Sequence, residues 1–190
     1  RKGIHIMILA SKSPRRKELI QRICKDVKII PSGVDESLVA QKPVEYFAER
    51  LARAKADQVA QEHPDELVVG CDTVVILDGE VLGKPENKQH AFEMLSRLSG
   101  NTHKVITGVA MIQGDKTASF SEITEVTFYQ LTEQEIKDYI DTNEPFDKAG
   151  GYGIQGQGCL LVTKINGDYY NVVGLPVSKL SRELNIFVNR

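Results

Sequence analysis

The chain has 190 residues, of which 41% are hydrophobic and 26% charged, enough apolar material for one domain with a sizeable core, in one lobe or two. With 24 Lys+Arg against 26 Asp+Glu the formal net charge is −2, so no overall field draws the chain to nucleic acid or an anionic membrane. The longest unbroken apolar run, Ile6 to Ala10, is five residues, against the roughly 20 of a membrane span, and the opening residues predict no secretory leader.

Ile4 to Leu9 reads as an apolar strand, after which Ser13-Pro14 supplies an N-cap and a first-turn proline for a helix with Leu19, Ile20 and Ile23 inward. A second helix is predicted from Pro43 to Gln61, with Val44, Phe47, Ala48, Leu51, Ala52 and Val59 on one stripe and Lys55 on that same stripe. Leu67 to Cys71 and Val74 to Leu77 are predicted as two short strands, the second turning at Asp78-Gly79 into Glu80-Val81-Leu82. A helix from Asn87 to Leu98 stops at Ser99-Gly100. Two long strands, Val105 to Gln113 and Thr117 to Phe128, meet at Gly114-Asp115, and Thr132 with Glu135 forms a capping box for a helix carrying Ile136, Tyr139 and Ile140.

Five of the nine residues from Gly150 to Gly158 are glycine. Beyond them, Cys159 to Ile165 and Tyr169 to Val173 are predicted as a hairpin around Asn166-Gly167-Asp168, and a last helix follows Pro176. Strands joined by two-residue turns must run antiparallel, while strands separated by helices are free to run parallel. The pattern therefore predicts a single α/β domain, residues 1–190, on a mixed twisted sheet with flanking helices. Cys24, Cys71 and Cys159 lie far apart with no CxxC spacing, which argues against a zinc site or a disulfide scaffold and for a reducing, cytoplasmic setting.

The first cluster with chemical potential is Ser11-Lys12-Ser13-Pro14-Arg15-Arg16-Lys17, placed where a strand hands over to a helix. Unpaired N–H groups, two hydroxyls and planar guanidinium forks suit an anion such as phosphate. The bland alternative is a serine cap beside a solvated basic face, although cations in a first turn oppose the helix dipole unless an anion offsets them.

The second cluster is Gly70-Cys71-Asp72-Thr73, where Asp72 is placed to hold Mg²⁺ or take a proton from water, or simply to open a turn. Asp35-Glu36 either completes a hard-cation site with Asp72 or is a surface pair. Lys55 either snorkels to water or points into a cleft, and Lys84, in Gly83-Lys84-Pro85, either aims at phosphate or is a solvated turn residue.

The third cluster is Asp147-Lys148-Ala149-Gly150-Gly151-Tyr152-Gly153-Ile154-Gln155-Gly156. Its Gly151-x-Gly153-x-x-Gly156 spacing matches the dinucleotide fingerprint, but a proline-containing loop precedes it and a strand-like run follows, so a Rossmann site is rejected. What survives is a loop whose backbone approaches a ligand closely, with Gln155 presenting donor and acceptor to a base edge, or else a mobile surface loop. His5, His63, His90 and His103 are scattered, giving little support to Ser/His or Cys/His catalysis.

Together, Leu9-Ala10-Ser11-Lys12-Ser13-Pro14-Arg15-Arg16-Lys17-Glu18-Leu19, Gly70-Cys71-Asp72-Thr73-Val74-Val75, Gly83-Lys84-Pro85 and the Asp147 to Gly156 segment resemble the Maf family, in order and over nearly the whole chain. The resemblance implies a nucleoside triphosphate pyrophosphatase that cleaves between the α and β phosphates with Mg²⁺ or Mn²⁺. It also implies a cytosolic homodimer and an α/β fold with a deep cleft, related to the inosine triphosphate pyrophosphatases. Asp72 aligns with the family's catalytic carboxylate, and Ser11, Arg16, Glu36, Lys55 and Lys84 match further active-site positions. Arg15, Thr73 and Gln155 fall where subfamilies separate, a set similar to the branch acting on dTTP and UTP rather than on 7-methylguanosine triphosphate. Cys71 and Gly151 stand where Ala is more usual, without a change of charge.

On this reading Glu36 and Asp72 are the metal ligands, and Ser11, Arg15, Arg16, Lys55 and Lys84 grip the phosphates. Two other classes stay open: a nucleotide-binding regulator of septum formation, from which the family takes its name, and, less favoured by the charge balance, an RNA or DNA binder.

Overall fold

The computed structural model describes residues 6–189. Its first strand, β1 (Met7–Ala10), is buried throughout and runs one residue past the expected Leu9; Ile4 and His5, where the strand was expected to begin, lie outside the described residues. Ser13 caps α1 (Pro14–Ile20) by accepting from the Arg16 N–H. This helix ends one turn before Ile23, because the N–H groups of Arg22 and Ile23 reach back only three residues, to Leu19 and Ile20. A three-residue strand that the pattern did not show, β2 (Val27–Ile29), then pairs with β1 in parallel.

A single 3₁₀ turn, Val44–Tyr46, leads into α2 (Phe47–Glu62), which buries the predicted Ala48, Leu51, Ala52 and Val59 together with Ala56, while Val44 is buried in the turn ahead of the helix and Phe47 is only half-buried. The two short strands expected around Asp72 are one continuous strand, β3 (Leu67–Leu77), parallel to β1. Asp78 and Gly79, with φ of 52° and 77°, turn the chain back into β4 (Glu80–Leu82), antiparallel to β3. Asn87 caps α3 (Lys88–Leu98), and β5 (Thr102–Gln113) and β6 (Lys116–Phe128) flank Gly114-Asp115. The capping box of Thr132 and Glu135 opens α4 (Glu133–Asp141) as predicted.

The hairpin expected after the glycine-rich segment is only half present. β7 (Val162–Asn166) pairs antiparallel with β6, but its expected partner is the short helix α5 (Tyr169–Val173). Asp168 explains the difference: its carboxylate accepts from the Tyr170 N–H at 2.8 Å and its carbonyl from the Val172 N–H, which starts a helix. Asn171 anchors that helix by donating from Nδ2 to the Val105 carbonyl and to Thr124 Oγ1. The last helix, α6 (Val177–Asn189), buries Leu180, Leu184 and Phe187.

The described strands are hydrogen-bonded in the order β2-β1-β3-β5-β6-β7, with β4 beside β3, and the pairings are both parallel and antiparallel, as the connections required. The chain divides into two compact units: residues 1–72, 107–122 and 174–190 form one, and residues 73–106 and 123–173 the other. The first holds a core of Ile8, Ala52, Ala56, Val59, Val68 and Ile112. The second is centred on Val75, Leu95, Leu98, Val126, Phe128 and Ile140.

Candidate active site

In the first unit, Asp72 lies within β3, between the buried Cys71 and the half-buried Thr73. It opens no turn. Lys55 reaches it from the fourth position after Leu51 on the α2 stripe, and its ammonium pairs with both the Asp72 carboxylate and Glu36 Oε1, the latter at 2.7 Å. The Lys55 and Asp72 side chains keep only 15% and 14% of their exposure, so Lys55 does not snorkel. Burial by itself would lower the Lys55 pKa, but Asp72 first and then Glu36 outweigh it and hold the ammonium above its ordinary value.

The Asp35-Glu36 pair separates into two roles. Asp35 caps the 3₁₀ turn Glu36–Leu38, accepting from the Ser37 hydroxyl at 2.6 Å and the Ser37 N–H at 3.0 Å, and these bonds lower its pKa. Glu36 is left to join Lys55 and Asp72. Two carboxylates therefore meet one ammonium, and no group of three or more His, Cys, Asp or Glu is assembled for a metal among the described residues. Such a two-carboxylate oxygen donor set fits a hard divalent cation that takes its remaining ligands from substrate and water.

Ser11, also in this unit, is buried, and its hydroxyl accepts from the Ser13 N–H and from Arg16 Nη1, both at 3.2 Å. Arg16 Nε donates to the Gly174 carbonyl at 2.8 Å, so this guanidinium is fixed in place. Arg15 stands half-buried in the first turn of α1, a turn without an acidic residue. The Cys71 thiol donates to the same Gly174 carbonyl, and burial pushes its pKa up, which keeps it a thiol and removes it as a nucleophile.

The second unit holds Thr73 on β3, Lys84 in the exposed turn after β4 and Gln155 in the glycine-rich segment. These stretches are tied together. The Gly150 N–H donates to the Gly83 carbonyl at 3.0 Å, and a Cβ on Gly150 would lie 2.9 Å from Val75 Cγ2. Gly150 also has a φ of 73°, which an L side chain adopts at a cost. Gln155 is exposed, and among the described residues no hydrogen bond engages its carboxamide.

The sequence reading missed the groups that hold this segment. His103, 1% exposed, meets the Tyr152 hydroxyl through Nε2 at 2.6 Å, and both rings lie edge-on to Phe128. Tyr139, expected only as a helix face, donates its hydroxyl to Glu144 at 2.9 Å and accepts the Gly153 N–H at 3.1 Å. Glu144 in turn accepts the N–H groups of Gln157 and Gly158. Burial alone would raise the Glu144 pKa, but the backbone donors of Gly158 and Gln157, the Tyr139 hydroxyl and Lys148 together bring it below the ordinary value. The only signal in the sequence was a proline-containing loop, with Pro145 separated from the glycine run at Gly150 by Phe146 to Ala149.

His103 makes folding pH-dependent. Burial lowers its pKa from 6.5 to about 4, so as pH falls the unfolded chain protonates first and the folded state loses stability between those values, by about 3 kcal/mol in all. Urea unfolding at pH 7, 5.5 and 4 is expected to show a shallower loss for His103→Gln than for the native chain; equal losses would remove His103 as the cause.

Residues 6–187 match the family described as Maf-like protein. The chain is 52% identical over 181 residues to a dTTP/UTP pyrophosphatase of Bacillus anthracis, covering 95% of each protein. It is 51% identical over 181 residues to a protein of the same name from Bacillus cereus, again over 95% of each. A HAM1 protein from Coxiella burnetii has a similar fold, with a TM-score of 0.57 at 12% identity over 95% of this chain and 98% of that one. So does a nucleoside-triphosphatase, a dITP/XTP pyrophosphatase from Mycobacterium abscessus, with a TM-score of 0.51 at 13% identity over 97% and 100%. The extent of the first match and the identity to the two Bacillus proteins together place this chain in the Maf-like protein family.

Proposed function

We propose that the chain hydrolyses dTTP and UTP at the α–β phosphoanhydride bond, releasing a nucleoside monophosphate and pyrophosphate. The observation that carries the reading is the half-buried Asp72, fixed on a strand and paired with Lys55 in the same unit as Ser11, Arg15 and Arg16. Relatives at about half identity over nearly the full chain carry the name of this activity.

In the reaction the water oxygen bonds to the α-phosphorus, the bridging P–O bond breaks, and its electron pair leaves with pyrophosphate. Asp72 orients the water and accepts its proton. Charge grows on the departing pyrophosphate, and cations placed beforehand stabilise it. Lys55, Arg15, Arg16 and Lys84 supply that charge, with the Ser11 hydroxyl among the phosphate contacts. Glu36 and Asp72 would hold a divalent cation, Mg²⁺ or Mn²⁺, which when bound neutralises phosphate charge and acidifies water. Gln155 reads the pyrimidine edge, and Arg15 and Thr73 complete the set that distinguishes the substrate. A site built on paired hydrogen bonds rejects a wrong base strongly, because its polar groups are then left unpaired.

The test is product-resolved chromatography of dTTP, UTP, CTP, ATP and 7-methylguanosine triphosphate, with and without Mg²⁺ or Mn²⁺. Metal-dependent monophosphate and pyrophosphate from dTTP and UTP are expected. Diphosphate plus phosphate would mean a different scissile bond, preference for the methylated purine would overturn the use of Arg15, Thr73 and Gln155, and no turnover at all would favour a nucleotide-binding regulator.

A further inference from the structure

The segment bearing Gln155 is seated on two side chains that no chemical step uses. Tyr139 comes from α4 and Glu144 from the 3₁₀ turn Glu144–Asp147 that follows it. Glu144 Oε1 takes the Tyr139 hydroxyl and the Gly158 N–H, at 2.9 and 3.1 Å, and Oε2 takes the Gln157 N–H at 2.9 Å. The Tyr139 oxygen accepts the Gly153 N–H at 3.1 Å. Three of these four bonds fix the backbone on both sides of Gln155, at positions 153, 157 and 158, and the fourth ties Tyr139 to Glu144.

One glycine of the segment follows directly from the same contact: a Cβ on Gly156 would lie inside the Glu144 carboxylate. A Cβ on Gly158 would collide first with the Gly153 carbonyl and would also stand 2.9 Å from the Tyr139 hydroxyl. Lys148 closes the other side, donating to the Glu144 carbonyl at 2.9 Å and to Asp147 at 2.6 Å. An exposed glycine-rich loop would otherwise sample many conformations, and each would have to be lost on binding.

We propose that Tyr139 and Glu144 are positioning residues that hold the Gly153–Gly158 backbone so that the Gln155 carboxamide meets the nucleobase in one orientation, which makes them determinants of base selectivity. The inference rests on the reading of Gln155 given above. A dipolar amide tells bases apart only if its oxygen and nitrogen are presented in a fixed order. Loosening the seat therefore weakens discrimination before it weakens bond cleavage.

The experiment compares Tyr139→Phe, Glu144→Gln, Glu144→Ala and Gln155→Ala with the native protein. The readouts are kcat and KM for dTTP and ATP, and amide hydrogen exchange at residues 153, 157 and 158. Tyr139→Phe and Glu144→Ala are expected to speed exchange at those amides and to lower the preference for dTTP over ATP by about tenfold, the equivalent of one charge-assisted hydrogen bond. The loss is expected in KM, with kcat changed by less than about twofold. Glu144→Gln keeps the side chain's volume and one acceptor oxygen, and is expected to recover part of the selectivity.

If Gln155→Ala narrows selectivity while Tyr139→Phe and Glu144→Ala both leave it at the native value, the positioning role is wrong although Gln155 reads the base. If Gln155→Ala itself leaves selectivity unchanged, the base-reading assignment is wrong and the positioning role falls with it. Tyr139→Phe removes a single oxygen, so the comparison stands even if Glu144→Ala folds poorly.

Discussion

Asp72→Asn is expected to lower dTTP hydrolysis on the order of 10³-fold, the range for loss of a proton acceptor beside the reacting water. The substitution keeps the size and shape of the side chain on a strand whose neighbours Cys71 and Val74 are 0% and 4% exposed. What it removes is the charge that meets Lys55. That ammonium retains Glu36 at 2.7 Å, so it is not left as an uncompensated charge, and the cost to folding is expected at about 2 kcal/mol. Turnover measured with the product-resolved assay, together with a thermal melt of the same sample, separates the two effects. Near-native turnover would overturn Asp72 as the proton acceptor, whereas a melt lost altogether would show Asp72 to be chiefly structural.

Gly70→Ala is expected to cost about 3 kcal/mol of stability, through the packing of α2 on β3. A Cβ at position 70 would collide with the Ala52 carbonyl and would stand 2.8 Å from Ala56 Cβ and 2.9 Å from the Ala56 nitrogen. Two of the three obstacles are backbone, which does not rotate away. Helix α2 must therefore move, and with it Lys55, whose partner Asp72 is two residues along the same strand. Activity is expected to fall along with stability, and urea unfolding against the native chain measures the larger part. Unchanged stability would mean that α2 and β3 tolerate a wider spacing than this packing allows.

Much of the fold was legible in the sequence because its punctuation is local. Ser13-Pro14, Asp78-Gly79 and the pair Thr132 and Glu135 each act within a few residues, and each is found in its expected role, while Asn87, expected as the first residue of its helix, caps it from one position outside. The errors came where a distant partner decides. The polar pair Asp72-Thr73 reads as a break between strands, yet β3 runs through it, paired with β1 before the pair and with β4 after it. Tyr169 to Val173, all aromatic or β-branched but for Asn171, reads as a strand, but Asp168 caps it and Asn171 fastens it to Val105 and Thr124, 66 and 47 residues away in the chain.

The same division holds for the site. Ser11, Asp72 and Gln155 were singled out from short motifs, whereas the direction of Lys55 depended on which strand α2 covers. Asp35 and Glu36 were indistinguishable until Ser37 claimed the first. Tyr139, Glu144 and His103 carry no motif at all. Their role lies in what they hold, and that depends on partners brought together only by the fold.

The proposed proton acceptor and the proposed base reader differ in the backbone that carries them. Asp72 is embedded, beside the half-buried Thr73, in an 11-residue strand that is otherwise buried, while Gln155 is exposed among glycines. Substitutions at an exposed position of this kind typically shift stability by no more than about 0.5 kcal/mol, whereas those in a buried strand cost several times more. In evolutionary terms the two properties are insulated from each other. A lineage under pressure to clear a different nucleotide is free to sample residue 155 at almost no risk to folding, while the bond-breaking apparatus stays where β3 put it.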